Sequence, residues 1–126
     1  AAGGLGLACR AFLAGELKSG IETVLDLCGF DRLAETADLV ITGEGRFDYQ
    51  SLMGKVIGGI VAHSGSVPVA VLSGKYRQFD TSGFPNLKYI IPVSEGQELD
   101  YAIAHEPENL RRGTEKLFSI IEKEGY

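Results

Sequence analysis

Apolar residues near the start of the chain recur at the spacing of amphipathic helices. The stripe over 5–13 predicts a first helix, because its apolar positions fall at i, i+4, i+7 and i+8. Ser19 and Glu22 form a predicted capping box for a second helix, and Gly29 is placed for a left-handed cap at its end. A short helical turn is predicted around 31–36.

Further along the chain, short continuous apolar runs predict strands that are buried on both faces. These runs occupy 39–41, 67–74 and 88–95, and Pro92 favours a strand end or an edge position in the last of them. Helices are predicted at 54–63 and 99–104, followed by a final helix with Pro107 in its first turn.

This alternation of strands and helices predicts the fold class. Right-handed βαβ crossovers place helices on both faces of a mainly parallel sheet, so we expect an α/β protein with three α/β/α layers. The whole chain, 1–126, is predicted to be one segment without an internal boundary. Because three strands make a thin parallel sheet, we expect further strands from chain that is missing here.

Composition and charge exclude two classes of partner. The chain is 44% hydrophobic and 23% charged, as in globular proteins, and its net charge of −5 leaves no basic face for nucleic acid. No apolar run reaches the roughly 20 residues of a membrane span. Cys9 and Cys28 are predicted to be buried free thiols of a reducing compartment, which favours a cytoplasmic location.

The stretch "ITGEGRFDYQSLMGK", 41–55, is the leading candidate for a site. It follows a predicted strand, and open parallel sheets bind ligands outside the carboxyl ends of their strands. Gly43 and Gly45 are expected to let backbone N–H groups approach an anion. Lys55 would add a positive charge where the next helix begins, at the positive end of its dipole.

Phosphoryl transfer needs the residue types found in this stretch. Glu44 and Asp48 offer carboxylates for a metal or for general base catalysis, while Arg46 and Lys55 offer cations for phosphate or carboxylate. The residue types alone do not show which residue has which role. The alternative to a site is a solvated loop of mixed charge. A second polar stretch, 73–76, leaves another predicted strand and is a candidate for the same cleft.

Neither of two common phosphate-binding signatures is present. A P-loop requires glycine where Tyr49 stands and Ser or Thr where Val56 stands. The segment "GLGLAC", 4–9, lacks the third glycine of the dinucleotide-binding fingerprint.

Several segments together resemble the carboxyl-terminal part of bacterial glycerate kinases. They are "AAGGLG" at 1–6, "ELKSGIETVL" at 16–25 and "ADLVITGEGRFDYQSLMGK" at 37–55, with later "LSG" and "ENLRR" stretches. Met53 and the helix start Val56-Ile57-Gly58 depart from the family pattern, but every charged position of the central segment is intact.

The resemblance implies ATP-dependent phosphorylation of D-glycerate, with magnesium (Mg), to a phosphoglycerate, most simply 2-phosphoglycerate. It implies catalytic roles for Glu44, Arg46, Asp48 and Lys55, of which Glu44 and Asp48 would also contact the metal. It further implies substrate- or phosphate-binding roles for Gly3, Gly4, Gly6, Thr42, Gly43, Gly45, Gln50, Ser51 and Gly54.

The same resemblance implies that the amino-terminal portion of the enzyme completes the site and that this segment alone is inactive. Two other classes of function stay open from the residues themselves. One is a non-catalytic module that binds an anion or a phosphorylated metabolite. The other is a structural or assembly domain without a ligand.

Overall fold

The structure, a computed structural model, describes residues 2–125, so the predicted opening turn is described without Ala1. Its helices are α1 (Leu5–Phe12), α2 (Gly20–Cys28), α3 (Phe30–Glu35), α4 (Val56–His63), α5 (Leu99–Ala104) and α6 (Glu106–Lys123). Its strands are β1 (Val40–Phe47), β2 (Val69–Tyr76) and β3 (Leu87–Pro92). Short 3-10 turns occupy Ala2–Gly4 and Tyr49–Leu52.

The described strands form one parallel sheet in the order β1-β2-β3. Helix α4 connects β1 to β2, and Glu44 of β1 lies beside Ser73 of β2 in the register. The predicted α/β class is therefore confirmed. Pro92 ends β3, which lies at one edge of this sheet, as its sequence favours.

Apolar side chains cover both faces of the sheet. Successive residues of a strand point to opposite faces, so Val69 and Val71 pack on one side while Ala70 packs on the other. The first side includes Ile57 and Val61 of α4. The core on the other side includes Leu117 of α6, which is fully buried. Helices thus lie on both faces, which explains why the strand sequences are continuously apolar.

Two adjacent glycines let α4 pack closely against its neighbours. A Cβ atom added at Gly58 would lie 2.4 Å from the backbone oxygen of Leu52, and one at Gly59 would lie 2.5 Å from Cγ1 of Ile21. These partners belong to the 3-10 turn and to α2 rather than to the sheet. Gly58 therefore lets α4 approach the turn that precedes it, and Gly59 lets α4 approach α2.

Strand β1 is longer than the sequence predicts. The prediction ended the strand at Ile41, but pairing continues through Phe47, with Arg46 beside Lys75 of β2. Phe47 then accepts a hydrogen bond from the Arg77 N–H at 3.0 Å, just beyond β2. The pairing satisfies backbone groups that a loop would leave to solvent, and it outweighs the low strand propensity of glycine and charged residues.

The amino-terminal helices also differ in detail from the prediction. Ser19 is the N-cap of α2, but its side chain makes no capping hydrogen bond, and Glu22 contacts His63 instead. Gly29 does end α2 with a left-handed φ of 66°. Both cysteines are free, but Cys28 is exposed and Cys9 is only half-buried, so the prediction that both are buried was wrong.

Helices α1–α3 leave a large apolar surface uncovered. Six of their large apolar side chains are more than half exposed: Leu5, Leu7, Phe12, Val24, Leu27 and Leu33. Surfaces of this kind commonly mark contacts with other protein. None of the described helices is both long and apolar enough to cross a membrane.

Candidate active site

A cleft of about 590 Å³ lies at the carboxyl ends of β1 and β2. We call it the charged cleft; it is lined by Glu44, Arg46, Asp48, Tyr49, Gln50, Ser51, Lys55, Arg77, Gln78 and Phe79. Its volume is within the range of roughly 300–1,000 Å³ that small-molecule sites occupy. The structure therefore brings together all of the predicted catalytic residues.

Consecutive elements of the chain supply these side chains. Glu44 and Arg46 come from the end of β1, whereas Asp48 begins the 3-10 turn that holds Gln50 and Ser51. Lys55 is the N-cap of α4. Because the first N–H groups of a helix have no partner within it, this end of α4 favours an anion.

A hydrogen-bonded turn fixes Asp48. Its Oδ1 accepts from the Gln50 N–H at 3.0 Å, and its own N–H donates to the Ser51 Oγ at 3.2 Å. The Ser51 hydroxyl in turn donates to the backbone oxygen of Arg46 at 3.3 Å. This capping box, absent from the sequence prediction, orients Asp48 and engages the buried Ser51 hydroxyl within the protein.

The charge of the cleft favours an anionic ligand. Three cations, Arg46, Lys55 and Arg77, line it together with the carboxylates of Glu44 and Asp48. Arg46 Nε lies 3.7 Å from Asp48 Oδ2, but the Arg46 side chain is 67% exposed. Such an exposed pair contributes little to stability, so Arg46 can leave Asp48 for a ligand at small cost.

Two buried polar atoms near the cleft have no hydrogen-bond partner within residues 2–125. They are Glu44 Oε2 and Ser73 Oγ, on residues that lie side by side in the β1–β2 register. A buried polar atom without a partner is costly, and such atoms are often found at functional sites. Ser73 lies in the 73–76 stretch that the sequence marked as a candidate, and it is fully buried.

The glycines predicted to bind substrate or phosphate lie in three separate parts of the structure. Gly43 and Gly45 lie in β1, so they are not the flexible anion-binding loop that the sequence predicted. Gly54, with a φ of 68°, is the glycine that supplies a left-handed turn before Lys55. Gly3, Gly4 and Gly6 belong to the opening turn and α1, and they and Thr42 line neither cavity described here.

A second cavity of about 450 Å³ lies on the side of β1 and β2 that faces α5 and α6. We call it the apolar cavity; it is lined by Gly43, Glu44, Gly45, Leu72, Gly74, Val93, Ser94, Leu99, Ala102, Ile103, Glu106, Asn109 and Leu110. Glu44 is the one described residue that lines both cavities. Among the described residues that line the apolar cavity there is no Lys or Arg.

One wall of the charged cleft was not among the predicted site residues. Arg77, Gln78 and Phe79 form this wall and directly follow β2. The ring centroid of Phe79 lies 5.5 Å from that of Phe47 and 5.9 Å from that of Tyr49. These aromatic contacts hold the segment against the end of β1, which spacing along the chain does not reveal.

His63 lies at the opposite end of α4 from Lys55 and links three helices. Its Nδ1 is 2.7 Å from Asp31 Oδ1, and its Nε2 is 2.6 Å from Glu22 Oε2. The hydrogen bond with Asp31, followed by that with Glu22, raises the pKa of His63 above 6.5. These contacts hold α2 and α3 to α4.

Comparison with known proteins connects these features to a family. The model of the glycerate kinase family matches residues 1–122. A glycerate kinase of Bacillus subtilis (strain 168) is 35% identical over 127 residues, which cover 96% of this chain and 33% of that protein. A glycerate 2-kinase of Escherichia coli (strain K12) is 49% identical over 76 residues, 59% of this chain and 20% of that protein. The chain thus spans between a fifth and a third of these relatives.

Proposed function

We propose that this chain, which belongs to the glycerate kinase family, supplies part of a site that transfers a phosphoryl group from ATP to D-glycerate. The observation that carries the proposal is the charged cleft, where three cations and two carboxylates meet at the carboxyl ends of parallel strands. Phosphoryl transfer depends mainly on positioning and on electrostatic stabilisation, which such a cleft can provide. The product that we propose is 2-phosphoglycerate, as the name of the Escherichia coli relative suggests.

The cations would hold the anionic groups of the substrates. Lys55 stands beside the unpaired N–H groups of α4, so phosphate oxygens would receive both a full charge and backbone hydrogen bonds there. Arg46 and Arg77 can bind a carboxylate or a phosphate with paired N–H donors. The carboxylate of glycerate and the phosphates of ATP are the ligands that this arrangement fits.

Asp48 would act on the hydroxyl that receives the phosphoryl group. Its side chain is 25% exposed, and its Oδ1 already accepts one hydrogen bond from the Gln50 N–H. The other carboxylate oxygen faces Arg46 at 3.7 Å and is the one that can turn to a substrate hydroxyl. Asp48 would then orient this hydroxyl and take its proton as the phosphorus–oxygen bond forms.

The carboxylates fit magnesium only together with a substrate. Within the described part of the chain, no group of three or more His, Cys, Asp or Glu side chains could hold a metal by itself. Mg²⁺ is usually held by one or two carboxylates plus phosphate oxygens and water. Glu44, whose buried Oε2 has no described partner, and Asp48 would supply those carboxylates. When bound, the ion neutralises charge on the phosphates.

We propose that the site is completed by the amino-terminal portion of the same enzyme. The relatives are much longer than the match, since the aligned part covers only 33% of the Bacillus subtilis protein. The apolar surface of α1–α3 is a place where that portion can pack. We therefore expect this chain alone to be inactive. We also propose that the complete protein acts in the cytoplasm, as its free cysteines favour.

A coupled assay on the complete protein tests the proposal. We expect formation of ADP that requires D-glycerate and Mg²⁺, with the product position read by ³¹P NMR. Lys55→Met removes a charge-assisted contact of about 1.5–3 kcal/mol, so kcat/KM should fall roughly tenfold or more. Lys116→Met, which changes an exposed lysine of α6, is the matched control and should retain activity.

The other classes of function give different results in the same experiment. A module that only binds anions would bind phosphate by calorimetry in a Lys55-dependent manner without forming ADP. A structural domain would show neither effect. Unchanged kinetics in Lys55→Met would remove this lysine from the site.

A further inference from the structure

The two cavities meet at Glu44 but differ in their lining. The charged cleft contains Arg46, Lys55 and Arg77, whereas the described lining of the apolar cavity carries only the charges of Glu44 and Glu106. An anion is attracted to the first and repelled from the second. A ligand that spans both cavities should therefore be anionic at one end and carry no negative charge at the other.

The wall of the apolar cavity suits a flat apolar group. Leu99, Ile103 and Leu110 line it and are 64%, 62% and 40% exposed. Gly45 of β1 also lines the cavity, and nothing lies within 4 Å of the place where its Cβ would stand, which leaves room for a ring near the strand. Burying such side chains against an aromatic ring would remove exposed apolar surface from water.

Most neutral polar groups of this cavity are already engaged. Asn109 is buried and pairs with Gln97 through two amide hydrogen bonds of 2.7 and 3.1 Å. The Ser94 hydroxyl donates to the backbone oxygen of Gly74 at 2.7 Å. These bonds fix the cavity wall before any ligand arrives.

The polar side chain of the cavity that can meet a ligand is a carboxylate. Glu106 is exposed, whereas the unpartnered Oε2 of Glu44 is buried and is the oxygen assigned above to the metal. Ionised carboxylates accept hydrogen bonds but do not donate them, so a ligand here needs hydroxyl or amino donors. The ribose hydroxyls and the amino group of an adenine nucleoside are such donors.

We infer that the apolar cavity binds the nucleoside part of the phosphoryl donor, while its phosphate chain passes Glu44 into the charged cleft. This inference rests on the proposed function, because that function supplies a ligand with an uncharged nucleoside and an anionic tail. Glycerate, a small anion, belongs in the charged cleft.

The experiment measures both substrates in the complete protein. Ile103→Ser shortens an exposed side chain of the cavity wall, and Leu99→Ser is a second variant on the same helix. We expect each to raise KM for ATP about five- to tenfold and to leave KM for D-glycerate within about twofold. Tyr101→Ser is the control, because Tyr101 is exposed on α5 but lines neither cavity.

Calorimetry with ATP, and with adenosine as the probe for the nucleoside alone, separates this inference from the proposed function. If the wild type binds ATP but transfers no phosphoryl group to glycerate, the proposed function fails. Weaker binding of ATP and adenosine by Ile103→Ser would still support the nucleoside site. Unchanged ATP affinity in both serine variants would overturn it.

Two further outcomes would also overturn the nucleoside site. A rise in KM for glycerate alone would place the acceptor in the apolar cavity. Loss of folding in Ile103→Ser, with normal ATP affinity in Leu99→Ser, would show that another part of the protein covers this wall.

Discussion

Replacing His63 by Ala should weaken the attachment of α2 and α3 to α4, and it should do so in a pH-dependent manner. The His63 side chain is 21% exposed, whereas its partners Glu22 and Asp31 are 48% and 67% exposed. Water therefore screens both contacts, and exposed pairs of this kind contribute about 0.2–1 kcal/mol each. We expect a total loss of about 1 kcal/mol when His63 is charged.

The sign of the pH dependence follows from the pKa of His63. The hydrogen bonds to Asp31 and Glu22 raise this pKa above 6.5 in the folded protein. Their contribution is fully present below the pKa of the unfolded chain, and it is lost as pH rises through the folded pKa. The difference between the wild type and His63→Ala should thus be largest near pH 5.5 and smallest near pH 9.

Hydrogen–deuterium exchange on the complete protein measures how firmly α2 and α3 are attached, separately from the rest of the fold. Amides of 20–35 should exchange about fivefold faster in His63→Ala at low pH, after correction for the intrinsic rate, with little change in α6. His105→Ala is the control, since His105 is exposed and contacts neither carboxylate. If the difference in exchange rate between the wild type and His63→Ala stays constant or grows with rising pH, the stabilising role of charged His63 is refuted.

Three further substitutions test the cleft and its support. Asp48→Asn should lower kcat of the complete enzyme by about 10²-fold or more with a small change in KM, and unchanged turnover would exclude Asp48 as the base. Ser51→Ala removes the acceptor for the Asp48 N–H, so chemical denaturation should show a loss of about 1–2 kcal/mol; unchanged stability would contradict the capping role. Gly58→Ala would place Cβ 2.4 Å from the Leu52 oxygen, so Tm should fall by several degrees, whereas Gly20→Ala, with nothing within 4 Å, should leave it nearly unchanged.

The sequence predicted the layered architecture because its apolar runs are long enough to show burial on both sides. Val69, Ala70 and Val71 are all fully buried, as expected of a strand between two helix layers. The candidate residues were predicted to lie at the carboxyl end of the sheet, and the charged cleft lies there, since parallel strands direct their carboxyl ends to one edge.

The remaining features depend on contacts between distant parts of the chain. The segment 43–47 has the composition of a loop, and only its pairing with β2 makes it a strand. Similarly, 41 residues separate His63 from Glu22, and no local pattern predicts their contact. The sequence marked the stretch that contains Ser73, but only the register shows that Ser73 lies beside Glu44.

The long β1 strand also determines which kinds of genetic change the site can tolerate. Val40, Thr42 and Glu44 are alternate residues of β1, so their side chains point to one face of the sheet. In the register they lie beside Val69, Val71 and Ser73 of β2. Deleting one residue ahead of Glu44 would shift this alternation and turn the carboxylate towards the α6 side of the sheet. Point substitutions on the exposed helices leave that alternation intact. Insertions and deletions within β1 should therefore be much rarer among functional variants than amino-acid replacements.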